Sequence, residues 1–157
     1  MATIDDACDY IISKTAEEGH GLSLLKLQKL LYYCQAWHLA FGRGPLFPGK
    51  FQAWVHGPVN RMIYDRFRSS KHLYSPVSRA DIQEDFSYER MKAEERAHID
   101  AVLEVYARFT GDQLEAMTHQ EEPWIAARGP ISLHERCEND IDEALMQRFY
   151  GGRLAAQ

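Results

Sequence analysis

The sequence lacks the features that identify several large classes of protein. None of its 157 residues falls in an apolar stretch long enough to cross a bilayer, and the N-terminus has neither the basic nor the apolar region of a signal peptide. The three cysteines, Cys8, Cys34 and Cys137, are an odd number at wide spacing, which argues against a disulfide framework. These absences predict a cytoplasmic protein with reduced thiols and no membrane association.

Excess positive charge and catalytic motifs are also missing. With 18 basic and 23 acidic residues the net charge is −5, which disfavours non-specific binding to nucleic acid or anionic lipid. The chain has no nucleophile-elbow pattern, Gly-rich phosphate loop, His-Glu-x-x-His or paired Cys-x-x-Cys. Cys34 and His38 are one helical turn apart, but a buried cysteine on an apolar helix is usually inert. We therefore predict no enzyme activity, no metal and no cofactor.

The composition and periodicity that are present are those of a helical globular protein. The apolar fraction is 45% and the charged fraction 26%, and the length suits one domain over residues 1–157. Apolar spacing and capping residues predict helices over residues 4–18, 23–41, 58–69, 88–109, 110–119, 122–128 and from about 139 to Gly151-Gly152. The predicted fold class is mainly α, a bundle of about six helices with a minor β-hairpin or extended segments near residues 46–55.

The second predicted helix is apolar on nearly every side, which is typical of a helix in the centre of a domain. Its polar exceptions are Lys26, Gln28, Lys29 and Gln35. They are consistent either with a solvated face or with an exposed polar strip that meets a partner.

Residues 54–59, Trp-Val-His-Gly-Pro-Val, predict a strand-to-helix corner, because Gly57 permits unusual backbone angles and Pro58 suits the first turn of a helix. In a functional interpretation, His56 lies beside that helix N-terminus. The positive end of the helix dipole would then keep its imidazole neutral for a partner's polar group.

A second corner contains His119, Glu121, Glu122 and Trp124. Histidine and carboxylates this close together could share a metal ion, but no third ligand is set by spacing. The alternative is structural: the two glutamates cap a new helix and Trp124 buries the corner.

Basic residues on the third predicted helix raise the question of nucleic-acid binding. Arg61, Arg66, Arg68 and Lys71 could form a patch for phosphates, although Asp65 and the acidic net charge count against it. A solvated face or a surface that complements an acidic protein partner explains the same residues.

Three motifs occur together in a characteristic order. They are Lys-Leu-Gln-Lys-Leu-Leu-Tyr-Tyr at residues 26–33, Trp-x-x-Gly-Pro-Val at 54–59 and Thr-His-x-Glu-x-Pro-Trp at 118–124. On these residues the chain resembles the SocA-like or Panacea antitoxin family, which includes prophage-associated GepA-like proteins, over a core of residues 22–149. The resemblance implies a mostly helical domain that binds and neutralises a co-encoded toxin, and at least one relative delivers its toxin to a ClpXP-type protease.

We accordingly expect a cognate protein toxin as partner, a ClpXP-type protease as a second one, and either a monomer or a homo-oligomer. The toxin-binding surface is expected to include Trp54, His56, Gly57, Pro58, Val59, Arg61, His119, Glu122 and Trp124. Two other functions remain open at this stage. They are a metal-dependent hydrolase or nucleic-acid-processing enzyme using His56 and His119, and a DNA-binding autoregulator.

Overall fold

Seven α-helices and one small hairpin make up the described part of the chain, residues 1–155 of a computed structural model. The elements are α1 (Ile4–Glu17), α2 (Leu24–Ala40), β1 (Phe51–Trp54), β2 (Gly57–Asn60), α3 (Arg61–Phe67), α4 (Ala93–Tyr106), α5 (Gly111–His119), α6 (Glu122–Arg128) and α7 (Glu143–Ala155). Single 3₁₀ turns lie at Arg79–Asp81 and Tyr88–Arg90. The predicted mainly α fold with a minor hairpin is confirmed.

The beginnings of several helices follow from local capping. The Thr3 hydroxyl accepts a hydrogen bond from the Asp6 amide at 3.1 Å and so begins α1, and Ser23 caps α2 in the same way. At the start of α5, Thr110 and Gln113 form the predicted reciprocal capping box. Each cap satisfies amides that have no partner within the helix.

Helix α2 lies in the centre and packs against α1, α4, α5 and α7. One continuous buried apolar cluster surrounds it, with members such as Ile11, Leu27, Ile99, Leu114 and Tyr150. Among residues 1–155, no helix has both the length and the apolar composition needed to cross a bilayer.

The polar side chains of α2 are buried, so the interpretation as an exposed or solvated strip is wrong. Lys26, Gln28, Lys29 and Gln35 are each at most 6% exposed. They bind backbone groups of other segments: the Lys26 ammonium donates to the Ala107 carbonyl at 2.6 Å, and Gln35 accepts from the Leu46 amide at 2.8 Å. Gln28 and Lys29 bind backbone groups of β2. Loops that pack on α2 bring unpaired backbone groups to it, and these polar side chains satisfy them.

The hairpin lies further along the chain than predicted. Phe51 pairs with Asn60 and Trp54 with Gly57 in an antiparallel register, which leaves Val55-His56 as a two-residue turn. Pro58 is therefore in β2, opposite Ala53, instead of opening a helix. The third helix begins only at Arg61, because the Asn60 side chain accepts from the Met62 amide at 2.9 Å and caps it.

Two other helix boundaries also differ from prediction. The long helix expected over residues 88–109 is a 3₁₀ turn followed by α4, because Glu95 accepts from the Lys92 amide at 2.8 Å and starts a new helix there. Helix α7 begins at Glu143, just after Asp142, instead of near residue 139, and it continues through Gly151-Gly152. Packing of α7 against α2 keeps this glycine pair helical.

Candidate functional site

The motif on α2, residues 26–33, holds the hairpin motif, residues 54–59, in place. The side chain of Gln28 on α2 accepts a hydrogen bond from the Asn60 amide at 2.9 Å and donates one to the Asn60 carbonyl at 3.1 Å. It thus makes the two hydrogen bonds that a residue of a neighbouring strand would make. The Lys29 ammonium donates to the Pro58 carbonyl at 2.9 Å. The Lys-Leu-Gln-Lys helix thus supplies side chains that complete the free edge of β2.

Lys29 and Gly57 are in close contact beneath the hairpin turn. Gly57 has a φ of +102°, and a Cβ built on it would lie 2.5 Å from Cε of Lys29 and 3.0 Å from the Thr118 hydroxyl. Burial lowers the pKa of Lys29 to about 7. Only glycine fits at this position, because both the backbone angle and the neighbouring lysine exclude a side chain.

The third motif packs against the other side of the same hairpin. The indole nitrogen of Trp124 donates to the Trp54 carbonyl at 2.9 Å, and the His119 ring stacks on Trp124 at 4.1 Å. Arg128 donates to the Ala53 carbonyl at 2.8 Å. Burial lowers the pKa of His119, which favours its neutral form. Trp124 is buried at this corner, as the structural interpretation predicts, and the corner supports the hairpin.

Glu121 joins α2, α6 and α7. Its buried carboxylate accepts from the Tyr33 hydroxyl at 2.8 Å, the Tyr150 hydroxyl at 2.7 Å and the Arg153 guanidinium at 3.0 Å. Although Glu121 stands at the N-cap position of α6, its side chain does not cap that helix. The conspicuous carboxylate of the third motif is therefore fully used inside the protein.

The outer face of the hairpin carries exposed polar groups and half-buried aromatic rings. His56 is in the turn, with its Nδ1 3.1 Å from the Glu115 carboxylate. The predicted placement of His56 at a helix N-terminus is wrong, because β2 separates it from α3. The Trp54 and Tyr64 rings lie edge to face at 4.9 Å, and the Arg61 guanidinium lies 5.6 Å from the Trp54 ring centre.

The nine predicted surface residues divide into three groups by exposure. Gly57, Pro58, Val59 and Trp124 are buried. Trp54 and His119 are half-buried, whereas His56, Arg61 and Glu122 are exposed. The structure thus brings both corners together, with the hairpin resting on Trp124 and His119. We call the accessible part, formed by the exposed His56 and Arg61 and the half-buried Trp54 and Tyr64, the hairpin face.

A groove of about 640 Å³ opens beside the hairpin face. Its apolar part is formed by Leu24, Trp54, Val55, Val59, Tyr64 and Leu73. Its polar part includes the basic residues Arg68, Lys71 and Arg136 and the histidines His56, His72 and His134. Among the described residues that line it, none is Asp or Glu. We call this the hairpin groove.

Sequence reasoning missed most residues of the hairpin groove. It also missed Tyr64 of the hairpin face and the two carboxylates that pair with this face, Glu115 with His56 and Glu138 with Arg61. Tyr64 lies one helical turn after Arg61, so helical periodicity could have identified it. Glu115 resembled an ordinary solvated residue of a helix. Arg136 and Glu138 lie in an irregular segment between α6 and α7, where no periodic signal exists.

Three kinds of site were considered from the sequence: a metal site, a reactive thiol and a basic patch for phosphates. Within residues 1–155, no group of three or more His, Cys, Asp or Glu side chains is placed to hold a metal ion. Burial raises the pKa of the Cys34 thiol, which favours its un-ionised form. On α3, Arg66 is half-buried and binds Asp9 at 2.6 Å and Asp5 at 3.1 Å, so it holds α3 to α1.

Comparison with known proteins identifies the family. A family model described as "Antitoxin SocA-like, Panacea domain" matches residues 27–125. The chain is 31% identical over 129 residues to Antitoxin SocA of Caulobacter vibrioides (strain NA1000 / CB15N), and the alignment covers 78% of this chain and 69% of that relative. No solved structure matches the chain. The resemblance predicted from the three motifs is confirmed, and the chain belongs to the SocA-like Panacea antitoxin family.

Proposed function

We propose that this chain neutralises a co-encoded protein toxin by binding it directly through the hairpin face. The observation that carries the proposal is the family match over residues 27–125, because this region contains residues 27–33 of the first motif and the whole of the other two, which meet at the hairpin. The matched segment therefore includes the surface as well as the helix that supports it.

The geometry of the hairpin favours binding through side chains. Both edges of the small sheet are already occupied: the Ala53 amide donates to the Asn139 carbonyl at 2.8 Å beside β1, and Gln28 and Lys29 occupy groups of β2. A toxin segment cannot add a strand at positions whose backbone groups are already paired. We therefore expect Trp54, His56 and Arg61 to make the contacts.

The buried members of the predicted surface act indirectly in this proposal. Gly57, Pro58 and Trp124 set the position of the hairpin, and a substitution there would alter binding by altering the fold. Direct contacts are tested only by exposed residues. Arg61 is suitable because its side chain is 47% exposed and its ion pair with Glu138 at 2.6 Å lies on the surface.

The first test is genetic. The reading frame beside the gene for this chain should arrest growth when it is expressed alone, and co-expression of this chain should restore growth. A neighbour that is harmless in every host tested would refute the assignment.

The second test locates the surface. We expect His56→Ala combined with Arg61→Ala to weaken toxin binding at least about tenfold in a calorimetric titration, because exposed aromatic and arginine groups often dominate interfaces. Arg148→Ala, at an exposed position of α7, is the matched control and should bind like the wild type. Equal affinity of the double variant and the control would exclude the hairpin face.

Occlusion of the toxin and its delivery to a ClpXP-type protease are distinguished by the fate of the toxin. Under occlusion the toxin persists in a stable complex, whereas under delivery its half-life shortens when this chain is present. Pulse-chase measurement with and without the protease separates the two mechanisms.

A further inference from the structure

We propose that the hairpin groove binds an acidic, apolar segment of the partner protein. This inference rests on the proposed function, since it specifies the chemistry of the toxin segment that meets the same surface. The groove lies next to the hairpin face and shares Trp54 and His56 with it.

The apolar part of the groove requires an apolar ligand. Leu24 and Val59 are buried and line the groove together with the half-buried rings of Trp54 and Tyr64. Aromatic rings that are apolar on their faces and polar at one end are common anchors in protein interfaces. A partner segment that places leucine or aromatic side chains here would cover this exposed apolar surface.

The charge of the groove requires acidic groups in the same segment. Its lining is basic although the whole chain carries a net charge of −5. The carboxylates that neutralise this lining lie outside it: Asp65 is 3.8 Å from Arg68, and Glu138 is 3.0 Å from Arg136. Both arginines are largely exposed, at 64% and 81% of their side chains, so these pairs contribute little and can exchange for a partner's carboxylates.

Lys71 contributes differently to the groove, because its ammonium is already bound within the protein. Its ammonium lies 3.2 Å from the Asp81 carboxylate and donates to the Pro76 carbonyl at 2.9 Å. It therefore holds the loop that follows α3, whereas the exposed Arg68 and Arg136 can turn from their surface pairs toward a ligand. The charge test is accordingly directed at the two arginines.

A peptide assay tests the groove without the toxin. The probe is a fluorescein-labelled synthetic peptide of about twelve residues that alternates Asp or Glu with Leu and Trp, the length of an extended recognition segment. The control probe has Lys in place of every acidic residue. We expect fluorescence anisotropy to report binding of the acidic probe, weakened by salt, and no binding of the basic probe.

Charge-reversal variants place this binding in the groove. Arg68→Glu with Arg136→Glu should weaken binding of the acidic probe at least about tenfold, because like charges would then face each other. Arg108→Glu with Arg148→Glu changes the net charge equally at exposed positions outside the groove, and should retain wild-type affinity. Circular dichroism checks that both double variants are folded.

The outcomes separate this inference from the proposed function. Equal binding of the acidic probe by the two double variants, or of the two probes by the wild type, would overturn the groove assignment. So would binding of a labelled single-stranded DNA that is lost in the groove variant, since the ligand would then be nucleic acid. Failure of the wild type to bind the neighbouring gene's product would refute the proposed function, while the peptide assay would still decide the groove.

Discussion

Replacement of Gly57 by alanine is the most direct test of how the motifs fit together. The added Cβ would lie 2.5 Å from Cε of Lys29 and 3.0 Å from the Thr118 hydroxyl, at a φ of +102°. Neither neighbour can move away easily, because both are fully buried: Lys29 Nζ donates to the Pro58 carbonyl and the Thr118 hydroxyl donates to the Glu115 carbonyl. The variant must therefore shift the hairpin away from α2.

The expected cost has two parts. An L-residue in a sparsely populated backbone region costs about 1–3 kcal/mol, and overpacking of a buried contact costs about 1–3 kcal/mol. The reduced entropy of the unfolded chain returns about 0.4–1 kcal/mol. We expect Gly57→Ala to lower the free energy of unfolding by about 1–5 kcal/mol, which is a large part of the total stability of a domain at the upper end.

Gly42→Ala is the matched control. Gly42 also has a positive φ, +74°, but no atom lies within 4 Å of the position of its Cβ. Only the backbone part should remain there, about 1–2 kcal/mol. Urea denaturation followed by tryptophan fluorescence measures both variants.

A double-mutant cycle identifies the lysine as the cause. Lys29→Ala removes the two side-chain atoms that lie 2.5 and 3.3 Å from the new Cβ. Gly57→Ala should therefore cost about 1–2 kcal/mol less in that background than in the wild type. Our account of the close contact would be refuted if Gly57→Ala cost no more than Gly42→Ala, or if the cycle showed no coupling.

The remaining predictions concern buried charge. The folded pKa of Lys29 is about 7 and its ordinary value is 10.5, so between these pH values the unfolded chain binds a proton that the folded one lacks. The free energy of unfolding of the wild type should rise relative to that of Lys29→Met between pH 7 and 9, by at most about 1.4 kcal/mol per pH unit, in urea titrations of both. A difference that is flat or falls with pH would contradict a neutral buried lysine. Glu121→Gln should cost about 2–4 kcal/mol, because an amide cannot accept equally from Tyr33, Tyr150 and Arg153. Glu122→Gln, at the next and exposed position, should change thermal stability little, and equal melting temperatures for the two variants would show that the Glu121 network is not stabilising.

Local signals predicted the boundaries of α1, α2, α5 and α6 closely, but they misplaced the hairpin and the starts of α3, α4 and α7. Ser23 and Thr110 cap their helices through atoms a few residues away, so sequence alone identifies these boundaries. Pro58 is compatible both with a helix start and with an extended strand at the edge of a sheet. The choice depends on Gln28 and Lys29, which bind the backbone of β2 from thirty residues away in the chain.

For the candidate site, the sequence identified the residues and the structure supplied their arrangement. Motif spacing singled out Trp54, His56 and Trp124, and the fold brings them to one hairpin. The groove beside them was not predictable, because Arg68 and Arg136 come from segments that have no common periodicity. Their proximity is a consequence of how α3 and the segment before α7 pack beside the hairpin.

The sequence by itself determined the helical content, the central position of α2 and the family, because apolar period, capping residues and motif order are all properties of neighbouring residues. Tertiary structure alone decided that Lys26, Gln28, Lys29 and Gln35 are buried. A polar side chain can be buried at low cost only where a hydrogen-bond partner meets it. Those partners are backbone groups of distant loops and strands, which are brought to α2 only when the whole chain folds.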